Sequence, residues 1–100
     1  MVTLIKTYAN PDSRKKWIIS VELDSAPAIL LRYIPDRLVA DHTSARKYLK
    51  SQLDDDWSTP EEMVLKMIED IHNELVPKWL EVEYSHHGVV VKIEDKQPGS

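Results

Sequence analysis

The chain has 100 residues, 42% of them hydrophobic and 30% charged, which excludes a disordered or fibrous protein and fits one small globular domain. Its 13 Lys and Arg against 17 Asp and Glu leave a formal charge of -4, which argues against general nucleic-acid binding but leaves a local basic patch open. It has no cysteine, so disulfides, zinc-thiolate sites and thiol nucleophiles are excluded.

Val2 to Tyr8 alternates weakly and suggests an edge strand at the N-terminus. Asn10-Pro11-Asp12-Ser13 is turn chemistry, because Asn, Asp and Ser side chains bond back to the backbone and Pro restricts φ. Trp17, Ile19, Val21 and Leu23 alternate with Ile18, Ser20 and Glu22, the period of a strand with one apolar face. After the turn Asp24-Ser25-Ala26-Pro27, Ile29, Leu31 and Tyr33 repeat the pattern, and so short a connection implies an antiparallel hairpin that Pro35 ends. Asp41-His42-Thr43-Ser44 is rich in N-capping side chains, and Ala45, Tyr48, Leu49 and Gln52 follow at helical spacing, predicting a helix over His42–Leu53. Asp54-Asp55-Asp56 belong to a loop, since a helix C-terminus is already negative.

A second helix is announced by Thr59 and Glu62, which form an S/T-x-x-E capping box, and by Pro60 at the first helical position. Its apolar stripe is Met63, Val64, Met67, Ile68, Ile71 and Leu75, and Pro77 ends it. Trp79 to Ser85 alternates again, His86-His87-Gly88 turns the chain, and Val89, Val91 and Ile93 mark a last strand. The predicted fold is α+β: an antiparallel sheet of two hairpins with two helices packed on one face, in the order ββααββ, with the N-terminal strand as an addition. It forms one domain over residues 1–98, and Gly99-Ser100 have the character of a cloning remnant.

Few of the chemistry-bearing residues form a pattern. The four histidines lack H-x-H or H-E-x-x-H spacing, and adjacent strand-end residues such as His86 and His87 point apart, so they read as surface and turn residues. The run Asp54–Asp56 lacks the glycine and distal glutamate of a calcium loop. Arg14-Lys15-Lys16 and Arg46-Lys47-Lys50 read as solvated charges, with a phosphate or RNA-backbone contact as the sharper alternative. Tyr48, Trp57 and Trp79 could line a pocket, though aromatics at these spacings belong more often to a core. Glu61 reads first as a helix-dipole residue.

Leu31-Arg32-Tyr33-Ile34-Pro35-Asp36, then Thr43-Ser44-Ala45-Arg46-Lys47-Tyr48-Leu49, then Val76-Pro77-Lys78-Trp79-Leu80-Glu81-Val82 resemble the NADPH-dependent nitrile reductases of queuosine biosynthesis, members of the tunnelling-fold (T-fold) superfamily. The resemblance covers about Trp17 to Ile93, and ββααββ is also the T-fold order. It departs at the catalytic positions. The family's cysteine falls near Ile18 and its aspartate at Ser25. The glutamate of its cofactor motif corresponds to Asp41, the lysines to Thr43 and Arg46, and the histidine to Pro60. Only Glu61 is unchanged, and the resemblance implies that it anchors a purine- or pterin-like ring.

The resemblance without its cysteine implies a non-catalytic protein with no cofactor and no metal, because no other side chain here replaces a thiolate in nitrile reduction. The expected ligand-binding residues are Glu61, Asp41, Arg46 and Tyr48. The expected partner is a second copy paired through open sheet edges, with a purine, deazapurine or pterin-like ring at the interface. A structural or partner-binding protein without a small-molecule site is the alternative. An enzyme of different chemistry, using Asp41, His42 or Glu61 as acid or base, ranks last. No apolar run approaches the roughly 18 residues of a membrane span. Met1–Asn10 lacks a signal-peptide core, so a cytoplasmic protein without a membrane partner is expected.

Overall fold

Period-two alternation becomes a four-stranded antiparallel sheet. A computed structural model of the protein describes residues 5–24 and 27–97. Within them lie β1 (Thr7–Ala9), β2 (Ile19–Leu23), β3 (Ala28–Ile34), β4 (Leu38–Ala40), α1 (His42–Leu53), α2 (Pro60–Leu75), β5 (Trp79–His86) and β6 (Val89–Lys96). The large sheet has the order β2-β3-β5-β6, and β1 pairs with β4 in a separate two-stranded ribbon.

Three cross-strand rows on one face of the large sheet carry the core. Ile19, Tyr33 and Leu80 share one row, Val21, Leu31, Val82 and Ile93 the next, and Leu23, Ile29, Tyr84 and Val91 the third. Both helices cover this face: α1 packs on β2, and α2 packs on β5 and β6. The predicted stripe of α2 is the buried one, from Met63 to Leu75, with Val64, Met67 and Ile71 fully enclosed. Each such side chain stabilises the fold by about 1.5–3 kcal/mol relative to exposure.

The helix boundaries follow local chemistry. The Asp41 carboxylate accepts from the Ser44 backbone N–H at 2.9 Å, capping α1. The Thr59 hydroxyl accepts from the Glu62 N–H at 3.3 Å, and Pro60 opens α2. α2 closes on Val76 in the left-handed region, at φ 43°, directly before Pro77. The β5–β6 loop is two residues long, and both His87 and Gly88 have positive φ, as a type I′ hairpin requires.

The predicted six-element order needs two corrections. The N-terminal strand lies at Thr7–Ala9, later than the predicted Val2–Tyr8, of which residues 2–4 lie outside the described residues. It does not extend the main sheet but pairs with β4, a strand missed because Leu38-Val39-Ala40 is a continuous apolar triplet without alternation. The Tyr33 hydroxyl accepts from the Ala40 N–H at 3.1 Å, and the Lys6 N–H donates to Ser44 Oγ at 2.7 Å, so the ribbon is tied to β3 and α1.

Candidate functional site

The four residues expected to bind a ligand occupy separate environments. The Asp41 carboxylate is engaged as the cap of α1. Arg46 is exposed on α1 and lines a shallow groove with Leu23 and Lys50. Tyr48 is 1% exposed, and its hydroxyl donates to Asp70 Oδ2 at 2.7 Å, while Asp70 Oδ1 lies 2.9 Å from Lys66 Nζ. Burial, and next the bond to Asp70, push the Tyr48 phenol far above its ordinary pKa, so it remains a neutral donor inside the helix pair. Glu61 is exposed in the first turn of α2 and makes no ion pair or side-chain hydrogen bond among the described residues. α1 has 12 residues, and at 1.5 Å each it holds Asp41 about 18 Å from the loop leading to Glu61. Within one chain these residues do not converge.

The positions matched to the nitrile reductase set are equally dispersed. Ile18, at the place of the cysteine, is 59% exposed just before β2. Ser25 lies outside the described residues, and Pro60 is the first residue of α2. Ile18 lines a cleft with Ile34 and Trp79, whereas Pro60, next to Glu61, lines another with Pro27 and Tyr84. β3 runs from Ala28 to Ile34 between these clefts, a span of about 20 Å at 3.4 Å per residue.

The histidines occupy structural positions. His42 begins α1 and is exposed. His72 Nδ1 lies 3.3 Å from Asp95 Oδ2, linking α2 to β6. The His86 and His87 rings do not point apart as expected but meet with centroids 3.8 Å apart, because the positive φ of His87 turns its side chain back. Among the described residues no group of three or more His, Cys, Asp or Glu side chains is placed to hold a metal, and no helix is long and apolar enough to cross a membrane.

On the helix-free face of the large sheet stands a charge cluster, Arg32, Glu81 and Lys92, that no spacing in the sequence singles out, beside a cleft lined by Trp79, one of the aromatics expected to line a pocket or join the core. Glu81 is 2% exposed although no helix covers it. Arg32, its cross-strand partner, donates to Oε1 through both Nε (3.1 Å) and Nη2, and Lys92 Nζ lies 3.6 Å from Oε2. Burial alone would raise the Glu81 pKa, but the Arg32 hydrogen bonds and the charges of Arg32 and Lys92 outweigh it and hold the carboxyl below its usual range.

One row further along, Ile34, Trp79 and Lys96 are successive cross-strand partners, and Ile18 precedes β2 in line with them. Together with Lys16 and Lys78 they line a cleft of about 610 Å³. Strict alternation combined with hairpin register was the available signal, since it places Lys96, Trp79 and Ile34 on one face. No protein-family model matches the chain, and no curated protein is significantly similar to it.

Proposed function

We propose that the protein is a non-catalytic binding protein of T-fold-like build, which pairs its sheet edges with other copies and holds a planar purine-, deazapurine- or pterin-like ring at the subunit interface. The observation that carries this reading is Glu61, an exposed carboxylate in the first turn of α2 with no ion pair or side-chain hydrogen bond among the described residues. A carboxylate in that state can accept two parallel N–H bonds from a heterocycle edge. The β2-β3-β5-β6 sheet leaves one edge of β2 and one of β6 without a partner strand among the described residues, which suits assembly into a larger sheet. Ile18 and Glu61 lie toward opposite ends of β3 in one chain, so a ring site using both regions draws them from two subunits.

The test is a thermal-shift screen against guanine, deazaguanines, pterins and their nucleotides, run beside Glu61→Gln. A ligand at about a hundred times its Kd adds roughly 2.7 kcal/mol, a rise of about ten degrees or more for a domain of this size. The expected result is such a rise in the wild type that disappears in Glu61→Gln. A flat screen favours the second reading, a partner-binding protein without a small-molecule site. That reading has its own support in the dispersal of Asp41, Arg46, Tyr48 and Glu61 within the chain.

A further inference from the structure

The cleft bounded by Lys16, Ile18, Ile34, Lys78, Trp79 and Lys96 sets an aromatic ring among cations, which the other cationic groove, lined by Leu23, Thr43, Arg46, Lys47 and Lys50 on the α1 side, does not. The chain carries four more acidic than basic residues, yet three ammonium groups and no carboxylate line this cleft. Neither Lys16 nor Lys96 has a side-chain hydrogen bond or ion pair among the described residues. Lys78 Nζ donates to the Ser13 carbonyl at 2.8 Å, which pins the turn before β2 against the start of β5 and fixes one wall. Exposed Arg14 and Lys15 extend the positive potential along that turn, with Arg14 partly offset by Asp12 at 3.3 Å. The floor is apolar and aromatic: Ile18, Ile34 and a half-buried Trp79 stand in one cross-strand line.

We propose that this cleft binds single-stranded nucleic acid, with Trp79 as a stacking platform for an unpaired base and Lys16, Lys78 and Lys96 on the flanking phosphates. Cations beside an aromatic ring that reaches solvent are the elements such sites need, because every base has a π-face and every phosphate a charge, and Trp79 is half-buried at the cleft floor. Duplexes fit poorly, since their base faces are already stacked. A free mononucleotide also fits poorly. The row from Ile18 to Lys96 crosses four strands, about 14 Å at 4.8 Å per step, more than one base needs. No hydroxyl, amide or carboxylate side chain lines the cleft to read a base edge, so binding is sequence-tolerant. The bulk charge of -4 opposes general binding, and the cleft confines the attraction to one end of the sheet.

The test is fluorescence anisotropy of a fluorescein-labelled oligouridylate of about ten nucleotides with the full chain, titrated at several salt concentrations. Three phosphate contacts on a single strand give a log–log salt slope of about -2. Lys16→Glu with Lys96→Glu is expected to abolish binding. Trp79→Leu is expected to weaken it about fivefold or more, and Trp79→Phe to restore most of it. Lys47→Ala with Lys50→Ala, on α1, is expected to leave it unchanged. Thermal melts establish that each variant is folded, and because the lysines are surface residues their variants carry the test even if Trp79→Leu unfolds. The proposal is overturned if a duplex of equal length binds as tightly as the single strand. It is equally overturned if the double lysine reversal binds like wild type, or if AMP displaces the strand at equal concentration.

Discussion

Glu81 shows how a single residue can be both buried and charged on an uncovered sheet face. Arg32 reaches it from the neighbouring strand and Lys92 from the other side, so its lone pairs are met while its carboxylate is almost fully enclosed. A carboxyl whose pKa is lower in the folded than in the unfolded state contributes stability fully present above the unfolded value, about 4.3. That stability is lost as pH falls through the folded value. Removing the guanidinium leaves burial opposed only by the weaker influences of Lys92 and Glu94, so the carboxyl of an Arg32→Met variant shifts upward. Melting temperatures measured from pH 7 down to pH 4 should therefore show Arg32→Met well below wild type at neutral pH, with the gap closing in acid. A gap that stays constant with pH would mean that Arg32 contributes through packing of its stem rather than through Glu81.

The helices were the most legible elements, because their start signals are local. Asp41 caps α1 and Thr59 with Pro60 opens α2 through contacts spanning three residues or fewer, which any reader of the chain can count. The end of α2 is different. Pro77 marks it in the sequence, but the conformation just before it does not follow from residue type, since Val76 takes the left-handed region at φ 43°. A β-branched residue is strained there, and its backbone carbonyl is held by Gln97 Nε2 at 2.9 Å, a contact from the far end of β6. Replacing Val76 by glycine relieves that strain, partly offset by the greater entropy of the unfolded chain. The expected outcome is a gain of about 0.5–1 kcal/mol, read as a rise of a few degrees in the melting temperature. A fall instead would show that the half-exposed valine side chain packs usefully.

At the scale of the molecule, the chain spans 39 × 26 × 21 Å with a Cα radius of gyration of 13.1 Å, about the value for a folded chain of this length. Its core lies between the large sheet and two helices, with Ile5, Val39 and Ala40 joining it from the N-terminal ribbon, and the opposite face of the sheet carries the Arg32–Glu81–Lys92 cluster and the lysine-tryptophan cleft. β6 is eight residues long and, among the described residues, unpaired on one side, and Val89 and Val90 at its start are about half exposed. Long edges of this kind invite pairing with another copy. Sedimentation or light scattering should then give a mass that is a multiple of 11.6 kDa at micromolar concentration. A strict monomer would remove the interface on which ring binding through Glu61 depends, while leaving the single-strand cleft untouched.

What depends on neighbours in the chain was readable from residue order alone. Alternation marked Ile19 to Leu23 and Trp79 to Ser85 as strands, a 3.6-residue stripe marked α2, and the absence of cysteine closed off thiolate chemistry. The folded chain settled the rest, through register and distant partners. It sent the N-terminal strand to β4, made Tyr48 a buried donor to Asp70, and put the length of α1 between Asp41 at its N-cap and the loop that leads to Glu61 on α2. It also gathered Lys16, Trp79 and Lys96 from three segments into one cleft, and Arg32, Glu81 and Lys92 into one charge cluster. The physical reason is the same throughout: periodicity tells which face a side chain takes, but cross-strand pairing between remote segments tells whose side chains share that face.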